Sequence, residues 1–252
     1  MGAELLEYFQ IYLSRFSAGV FRAIAILFPL YCFFRLSNFK WLKKYQIRAV
    51  SKYKTFPLRE VKLLFVTYFS FGFISVFLAL IKKEFGFSNV YFEISDYGLF
   101  YTVLSFFILA FLDDAGFYWT HFLMHKPSFK FFFKSHMVHH RFINTTPFAA
   151  YAFDIGEAAL TSFKFFLIVL LLPLHPLVLF IYLIFSILYN GLLHSGHDFF
   201  PSSWRENFIL KWLNTPTHHS LHHKKHNCNF AFIFTFWDKF MKTEYYQLKE
   251  KP

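Results

Sequence analysis

The sequence is poor in charged residues, which make up 16% of its 252 positions, against about 25% in an average soluble domain. Hydrophobic residues reach 56%, and Phe alone occupies 42 positions. Such a high apolar content excludes a disordered chain, which needs low hydrophobicity and high charge. So few charges are also too few to cover the surface of a soluble globule. The composition therefore predicts a membrane protein.

Cysteine is nearly absent, with Cys32 and Cys228 as its two occurrences. Two distant cysteines exclude a disulfide framework and a thiolate metal site. Because the chain has 13 histidines, any metal is expected to be bound by nitrogen. The sequence also lacks a Gly-rich dinucleotide motif, a haem motif and a flavin site. Electrons for redox chemistry would then have to come from a separate protein.

The formal net charge of +11 suits a nucleic-acid binder, but the basic residues lie between apolar blocks rather than in a continuous stripe. We therefore expect no nucleic-acid partner. Residues 38–62 contain eight basic residues and one acid, Glu60, whereas residues 82–96 contain two basic and three acidic residues. The positive-inside rule predicts that the first of these loops is cytoplasmic.

Four apolar blocks, at residues 18–34, 63–81, 97–112 and 165–197, predict membrane helices, which need about 20 apolar residues each. The fourth block is too long for one helix and is broken by Pro173 and Pro176, because proline interrupts a helix. It is expected to form a hairpin with arms at about 160–172 and 177–193. The predicted fold is all-α, with three integral membrane spans plus a helical hairpin and a cytoplasmic His-rich helical cap.

This organisation predicts a single multi-pass domain over residues 1–252. Residues 1–97 would form N-terminal membrane helices, and residues 98–243 would carry the His-rich region. The expected location is the endoplasmic reticulum membrane in a eukaryote and the inner membrane in a bacterium, with the histidines facing the cytoplasm.

All the histidines follow residue 120, and only His175 stands apart from a His-rich motif. On a helix, positions i, i+3 and i+4 share a face. This spacing predicts three co-facial sets: His121 with His125; His136 with His139 and His140; His219 with His222 and His223. They exceed what one metal ion uses, so the pattern predicts two ions, and imidazole suits Fe, Cu and Zn. A hairpin is required, because a single crossing would put the last set on the opposite face.

A helical stripe of other side chains precedes the first histidines. Asp114 and Tyr118 lie at spacings of 4 and 3 before His121, and a carboxylate one or two turns away can hold a ligand imidazole in one tautomer. Asp114 is predicted to have this role, and Tyr118 and His218 are the other candidates for catalytic roles. The roles of His197 and His226 stay open.

The three motifs His-x-x-x-His, His-x-x-His-His and the late His-x-x-His-His resemble those of the fatty acid hydroxylase/sterol desaturase superfamily, over residues 98–243. Residues 194–199, 218–223, 227–230 and 235–239 are similar to its cholesterol 25-hydroxylase-like branch. The resemblance implies nine metal ligands: His121, His125, His136, His139, His140, His194, His219, His222 and His223. Where the family usually has Phe-Gly-Thr, this chain has residues 241–243, Met-Lys-Thr, which would remove a glycine turn.

The resemblance further implies an integral membrane oxidoreductase with two non-haem Fe ions and O₂ as co-substrate. It would hydroxylate or desaturate a sterol or a fatty-acyl-type lipid, with a sterol slightly favoured. The implied electron donor is a separate cytochrome b5/reductase-like or ferredoxin-like protein. We expect the substrate pocket to lie between residues 160–193 and the end of the third helix, with many Phe and Leu residues and few polar groups.

Other functions fit parts of the pattern. A non-enzymatic membrane metal transporter or sensor also concentrates histidines, and an acyl-lipid desaturase has three similar motifs. A zincin-type protease is excluded, because it requires Glu after the first histidine and His121 is followed by Phe122.

Overall fold

A computed structural model describes residues 2–36, 39–47, 56–142 and 145–246. Its α-helices are α1 Gly2–Tyr31, α2 Leu58–Phe85, α3 Gly98–Met124, α4 Lys130–His140, α5 Ile155–Leu171, α6 Pro176–Leu193, α7 Pro216–Lys225 and α8 Phe236–Phe240. Short 3₁₀ turns occur between them, and extended pairing within the described ranges is limited to isolated bridges. The predicted all-α fold is confirmed.

Four segments are long and apolar enough to cross a membrane: Gly2–Leu36, which is α1 plus a π-helical turn, and helices α2, α3 and α6. The protein is therefore a multi-pass membrane protein, as predicted. Helix α1 begins at Gly2 and so extends well before the predicted block at 18–34. Helix α5 has 17 residues, which span about 25 Å at 1.5 Å per residue, somewhat less than the hydrocarbon core of a bilayer.

The predicted hairpin is present as α5 and α6. His175 caps the start of α6, because its Nδ1 accepts the backbone N–H of Leu177 at 3.1 Å. Pro176 takes the first helical position, where its missing N–H has no partner to lose. The two arms diverge: α5 packs on α2 and α3, whereas α6 packs on α1 and α3. A space therefore opens between α1, α2, α5 and α6.

Aromatic side chains cover both the inside and the outside of the helix bundle. Inside, α1 and α2 pack closely at Gly19, where an added Cβ would lie 2.6 Å from a ring carbon of Tyr68. Small residues permit such contacts between membrane helices. Outside, side chains such as Phe21 and Phe100 are 75% and 82% exposed. Exposed rings on membrane helices face lipid, which accounts for the high Phe content.

The segment after α1 and the segment after α6 meet at one end of the bundle. The N–H of Asp198 donates to the carbonyl oxygen of Tyr45 at 2.8 Å, and the N–H of Ile47 donates to Gly196 at 3.0 Å. The part of the basic loop that contains Lys40, Lys43 and Lys44 therefore lies at the end of the bundle where α6 finishes. Of the other five basic residues, Arg48, Lys52 and Lys54 lie outside the described residues, and Arg59 and Lys62 belong to α2.

Candidate metal centre and adjoining cavity

Nine histidines from four helix ends converge at one end of the bundle, and they are the nine proposed as ligands from the sequence. They form two groups in which one ring nitrogen per residue lies within 4.8 Å of the others: His121, His125, His136, His140 and His222; and His139, His194, His219 and His223. Helices α3, α4, α6 and α7 all end in this region. The fold therefore provides two adjacent sets of nitrogen ligands.

The first group has its Nε2 atoms in mutual contact. Nε2 of His136 lies 3.1 Å from that of His121, 3.0 Å from that of His125 and 2.9 Å from that of His140, and the His140 to His222 distance is 3.1 Å. Two nitrogens at right angles around one ion, each about 2.1 Å from it, would lie about 3.0 Å apart. These separations fit nitrogens that share a metal ion.

The second group is arranged in the same way around His219. Its Nε2 lies 2.9 Å from Nε2 of His194 and 3.1 Å from Nε2 of His223. The fourth member, His139, has its ring centroid 4.8 Å from that of His223 and 5.4 Å from that of His194. Four nitrogen ligands satisfy the coordination number that is common for Zn²⁺ and leave positions open on an ion that prefers six.

The helical sets divide between the two groups. On α4, His136 and His140 belong to the first group, whereas His139 belongs to the second. On α7, His219 and His223 belong to the second group and His222 to the first. Positions i and i+4 stay together, while the i+3 residue, rotated by about 100° from i+4, reaches the other group. We expected the histidines of each helix to contribute to a single group. Instead, α4 and α7 each contribute histidines to both groups.

The other ring nitrogen of several histidines donates to a fixed acceptor. Backbone carbonyl oxygens accept from Nδ1 of three rings: His121 to Phe230 at 2.7 Å, His222 to Cys228 at 2.7 Å and His194 to Asn190 at 2.9 Å. A proton on Nδ1 leaves the Nε2 lone pair free for a metal ion, and the hydrogen bond fixes the ring plane. These carbonyl groups were not identifiable from the sequence.

Glu157 supplies the carboxylate that holds a ligand imidazole. Its Oε1 accepts from Nδ1 of His136 at 2.8 Å. The first turn of α5 lies against α4 at Gly156, where an added Cβ would lie 2.9 Å from Oγ of Ser135. That hydroxyl accepts the N–H of Glu157 at 2.8 Å and so fixes the start of α5 beside His136. Glu157 was not among the site residues predicted from the sequence, in which it is a single acid a few residues before the fourth apolar block.

Burial keeps the cluster neutral. It lowers the pKa of all the imidazoles in both groups that lie beyond the ends of the spans and for which a shift is resolved: His125, His136, His139, His140, His219, His222 and His223. The positive charge that each would carry also disfavours protonation of its neighbours. Neutral imidazoles are the form that binds metal ions.

Asp114 has a different role from the one predicted. Its Oδ1 accepts the backbone N–H groups of Phe232, Ile233 and Phe234 at 3.1, 2.6 and 3.2 Å, and its Oδ2 has no partner within the described chain. No histidine contacts this carboxylate by a hydrogen bond, because α3 directs it toward the extended segment after α7. The imidazole-holding role that we expected from Asp114 is performed by Glu157.

A second buried carboxylate, Asp238, holds the preceding part of the same segment. It accepts the N–H groups of Phe230 and Ala231, both at 2.9 Å. Asp114 and Asp238 therefore fix consecutive backbone N–H groups from residue 230 to residue 234. The carbonyl oxygen of Phe230 is the acceptor for His121, so these carboxylates position a ligand indirectly.

The candidates Tyr118 and His218 lie outside both histidine groups. Tyr118 is fully buried, and its hydroxyl is 3.0 Å from Oγ1 of Thr243. His218 has Nδ1 3.0 Å from Oγ1 of Thr215, at the start of α7. These contacts support the segments around the cluster; neither side chain contacts a ligand nitrogen.

The sequence predicted that Met-Lys-Thr at residues 241–243 would remove the turn after α8, and the structure contradicts this. Lys242 adopts a left-handed backbone with φ of 57°, so the turn is kept although glycine is absent. The N–H of Thr243 donates to the carbonyl oxygen of Asp238 at 2.8 Å and closes the turn.

The remaining histidines have separate contacts. His175 lies at the far end of α6, His197 stacks on Phe34 with ring centroids 5.1 Å apart, and His226 donates to the carbonyl oxygen of His223 at 3.0 Å. The ring of His226 lies 4.4 Å from that of His140. None of the three belongs to either group.

A cavity of about 620 Å³ lies between α1, α2, α5 and α6, and one end of it shares wall residues with the space beside the histidines. Phe117, Phe153, Asn190 and Phe232 line both this cavity and the small space bounded by His121, His136, His139, His194 and His219. The predicted pocket walls, the hairpin and the end of α3, are present. Helices α1 and α2 and the segment at residues 88–92 form much of the remaining wall, and their contribution was not predicted from the sequence.

The cavity is also more charged than predicted. Its wall contains four cationic side chains, Arg15, Arg22, Lys82 and Lys164, and one anionic side chain, Asp113. Nζ of Lys164 lies 2.5 Å from Oδ1 of Asp113, and the hydroxyl of Tyr182 donates to Oδ2 at 2.7 Å. The ion pair is buried, so its charges compensate each other. The expectation of few polar groups is therefore corrected.

The region that contains the nine histidines is similar to known proteins. The sequence model of the family described as Fatty acid hydroxylase matches residues 106–243, more than half of the chain. A Delta(7)-sterol 5(6)-desaturase of Gibberella zeae is 34% identical over 62% of the chain and 46% of its own length. Cholesterol 25-hydroxylase of Rattus norvegicus is 36% identical over 54% and 44%, and human lathosterol oxidase is 32% identical over 78% and 60%.

The matched region spans about half the length of these relatives. No solved structure matches the chain significantly.

Proposed function

Because the chain belongs to the fatty acid hydroxylase family, we propose that it is an O₂-dependent membrane lipid hydroxylase or desaturase with a non-haem di-iron centre. One observation carries the proposal. Nine buried or nearly buried histidines form two adjacent groups, and the space beside them shares wall residues with one end of a cavity that is large enough for a lipid. A metal ion near one end of a lipid cavity is suited to reaction with a C–H bond of that lipid.

The donor set fits two ions of the imidazole-binding class. Five ligands would come from the first group and four from the second, and the 2.9–3.1 Å separations between Nε2 atoms suit ligands of a common ion. When bound, two iron ions would supply the O₂ activation and the removal of hydrogen from an unactivated carbon, which protein side chains cannot perform.

The chain's own residues hold and shield this centre. Glu157 keeps the proton of His136 on Nδ1, and the carbonyl groups of Phe230 and Cys228 do the same for His121 and His222. Each hydrogen bond directs Nε2 toward the cluster. Phe117, Phe153 and Phe232 stand between the histidines and the cavity, so a bound substrate carbon would lie among apolar side chains with water excluded.

The proposed substrate is a sterol or a fatty-acyl-type lipid. The relatives named as sterol desaturase, cholesterol 25-hydroxylase and lathosterol oxidase support a sterol-like or similarly apolar substrate. Function depends on the site rather than on the fold, and both hydroxylation and desaturation begin with removal of one hydrogen. The product therefore has to be identified by experiment.

The histidine clusters are proposed to face the cytoplasm. Residues 40–45 lie at their end of the bundle through the contacts of Tyr45 and Ile47 with residues 196–198, and basic loops favour the cytoplasmic side. A cytochrome b5/reductase-like or ferredoxin-like donor would deliver electrons from this side. We also propose a single domain over residues 1–252, since α1 and α2 complete the cavity that residues 98–243 leave open.

Reconstitution of the purified protein in nanodiscs tests this function. Iron-loaded protein, a reductase system and O₂ are combined with a panel of sterols, fatty acids and alkylglycerols, and the products are analysed with ¹⁸O₂. The expected result is consumption of O₂ that depends on iron and on one lipid class. An alcohol product would carry ¹⁸O, whereas a new double bond would indicate desaturation. The H136A variant is the inactive control.

Two outcomes would contradict the proposal. Turnover that proceeds without O₂ would exclude an oxygenase. Iron-loaded protein that uses no lipid of the panel, but moves metal ions across the nanodisc or changes conformation with them, would indicate a transporter or sensor.

A further inference from the structure

Arg22 is a charged side chain in the middle of an apolar span. It lies on α1, about 21 Å along the helix axis from Leu36, the end of the span, at 1.5 Å per residue. Its Nε is buried and has no hydrogen-bond partner in the part of the chain that the structure describes. No acidic side chain among the described residues forms an ion pair with it. Charged residues inside membranes are rare and usually paired, or they mark a functional site.

The cavity next to Arg22 has a surplus of positive charge. Lys164 is compensated by Asp113, which leaves Arg15, Arg22 and Lys82 without a counter-charge in the wall. Arg15 and Lys82 are exposed, whereas Arg22 is half-buried. The cavity therefore has two cations that are accessible from outside and a third cation farther inside. A neutral sterol offers no group that would neutralise them.

We propose that Arg22 binds the anionic head group, carboxylate or phosphate, of a long-chain lipid whose apolar chain extends through the cavity toward the histidines. The guanidinium fork matches the planar geometry of a carboxylate and the oxygens of a phosphate. Arg15 and Lys82 would attract the same charge as the lipid enters. This inference rests on the proposed function, because it assumes that the cavity holds the substrate, and it narrows the substrate class to anionic lipids.

The position of Arg22 also sets the direction of the substrate. Asn190 lines both the cavity and the space beside the histidines. Its neighbour Gly191 packs against α1 at Leu27 and Leu30, where an added Cβ would lie 2.8 and 3.0 Å from the two side chains. This contact marks the level on α1 that is nearest to the histidine end of the cavity. Arg22 lies about 10 Å farther along α1, away from the histidines, at 1.5 Å per residue. A head group held there keeps its own carbon atoms away from the metal ligands. The oxidised carbon is therefore remote from the head group.

Direct lipid binding tests the proposal without turnover. Purified, metal-loaded protein in neutral detergent is titrated with radiolabelled oleate, oleyl alcohol, oleoyl lysophosphatidate and cholesterol. Oleate and oleyl alcohol share one chain and differ in the charge of the head group. We expect oleate to bind at least about tenfold more tightly than oleyl alcohol, the difference typical of one charge-assisted hydrogen bond, and added salt to reduce this difference.

Variants locate the charge. R22Q should weaken oleate binding about tenfold and leave the binding of oleyl alcohol unchanged, and R22K should retain part of the preference. R59Q is the matched control, because Arg59 is an exposed arginine on α2 that lies over Phe142 and not in the cavity. Lysophosphatidate that binds more tightly than oleate, with the same dependence on Arg22, would support the anion site and identify a phosphate as its ligand.

The contrary results are distinct. Oleyl alcohol or cholesterol that binds wild-type protein as tightly as oleate would overturn the anion site, even if R22Q fails to fold. If R22Q and R59Q bind oleate equally tightly, the anion site is also overturned. Oleate binding that depends on Arg22 in a protein that consumes no O₂ would contradict the proposed function and leave the anion site supported. Oxidation of a neutral sterol by a protein that does not prefer anionic lipids would support the proposed function and overturn the anion site.

Discussion

Glu157 and His136 are joined by a hydrogen bond of 2.8 Å between Oε1 and Nδ1, and their side chains are 3% and 2% exposed. The bond connects the first turn of α5 with the middle of α4. It fixes the His136 ring so that Nε2 faces three other Nε2 atoms at 2.9–3.1 Å. A single carboxylate therefore orients the imidazole that contacts the most neighbours in the first group.

Removal of this carboxylate is expected to weaken metal binding. E157A should reduce the metal affinity of the first group by about 10–100-fold, the usual effect of losing a group that orients a ligand. E157Q should lose less, because an amide oxygen still accepts from Nδ1. Metal analysis after equilibration with a chelator of known affinity measures the change. E84A is the control, since Glu84 is exposed; wild-type affinity in E157A would show that the bond has no such role.

The two histidine groups are expected to lose metal separately. H222A removes a ligand of the first group and H139A a ligand of the second, although each residue lies on the same helix as ligands of the other group. Wild-type protein should hold two ions per chain, each variant should approach one, and both should lose activity. H175A should keep both ions, because His175 lies at the far end of α6. Metal analysis that finds one ion in the wild type would refute the two-ion arrangement.

Asp114 is expected to act on stability rather than on the tautomer of a ligand. D114A removes the acceptor of three backbone N–H groups, two of them buried and one partly buried, and each unpaired buried group costs about 1–3 kcal/mol. The free energy of unfolding should fall by about 3 kcal/mol or more. D114N, which keeps an acceptor oxygen, should lose less than half of that and retain its metal. Denaturant unfolding in one detergent measures the stability of both variants, and metal analysis measures the metal content of D114N. If D114N is stable but loses its metal, Asp114 has the tautomer-holding role that the sequence predicted.

Lys242 offers a stabilising substitution. Its φ of 57° costs a non-glycine residue about 1–2 kcal/mol, and glycine adopts this conformation freely. Glycine also raises the chain entropy of the unfolded state, which offsets part of this gain. The free energy of unfolding of K242G should therefore exceed that of the wild type by about 0.5–1 kcal/mol. K242A is the control, because alanine keeps the same backbone strain. Thermal unfolding should rank K242G above both wild type and K242A, and the reverse order would contradict the conformation assigned to this turn.

The proposed orientation predicts which residues are accessible from the same side of the membrane. Single cysteines at Lys43, Lys130 and Lys224, all exposed, should react with an impermeant thiol reagent from the cytoplasmic side. A cysteine at Ser88, in the loop after α2, should react from the other side. Cys32 and Cys228 are first replaced by alanine. Labelling of Lys130 and Lys224 from opposite sides would exclude the shared histidine site.

The sequence alone determined the features that depend on local pattern. Apolar blocks and the proline-containing break predict the spans and the hairpin, because a membrane requires a minimum apolar length and a helix does not tolerate an internal proline easily. The spacing of His136 and His140, and of His219 and His223, identifies helical faces because an α-helix repeats every 3.6 residues. The resemblance of the motifs to one family named the same nine histidines that the fold brings together.

The tertiary structure decided which groups meet across helices. The exchange of His139 and His222 between the groups, the bond from Glu157 to His136 and the positive cavity wall around Arg22 all join segments that are far apart in the chain. A sequence period describes one helix, whereas these contacts depend on how helices are rotated and displaced relative to one another. Asp114 is the clearest case: its spacing to His121 was right for a ligand-holding carboxylate, yet packing directs it to the backbone of residues 232–234.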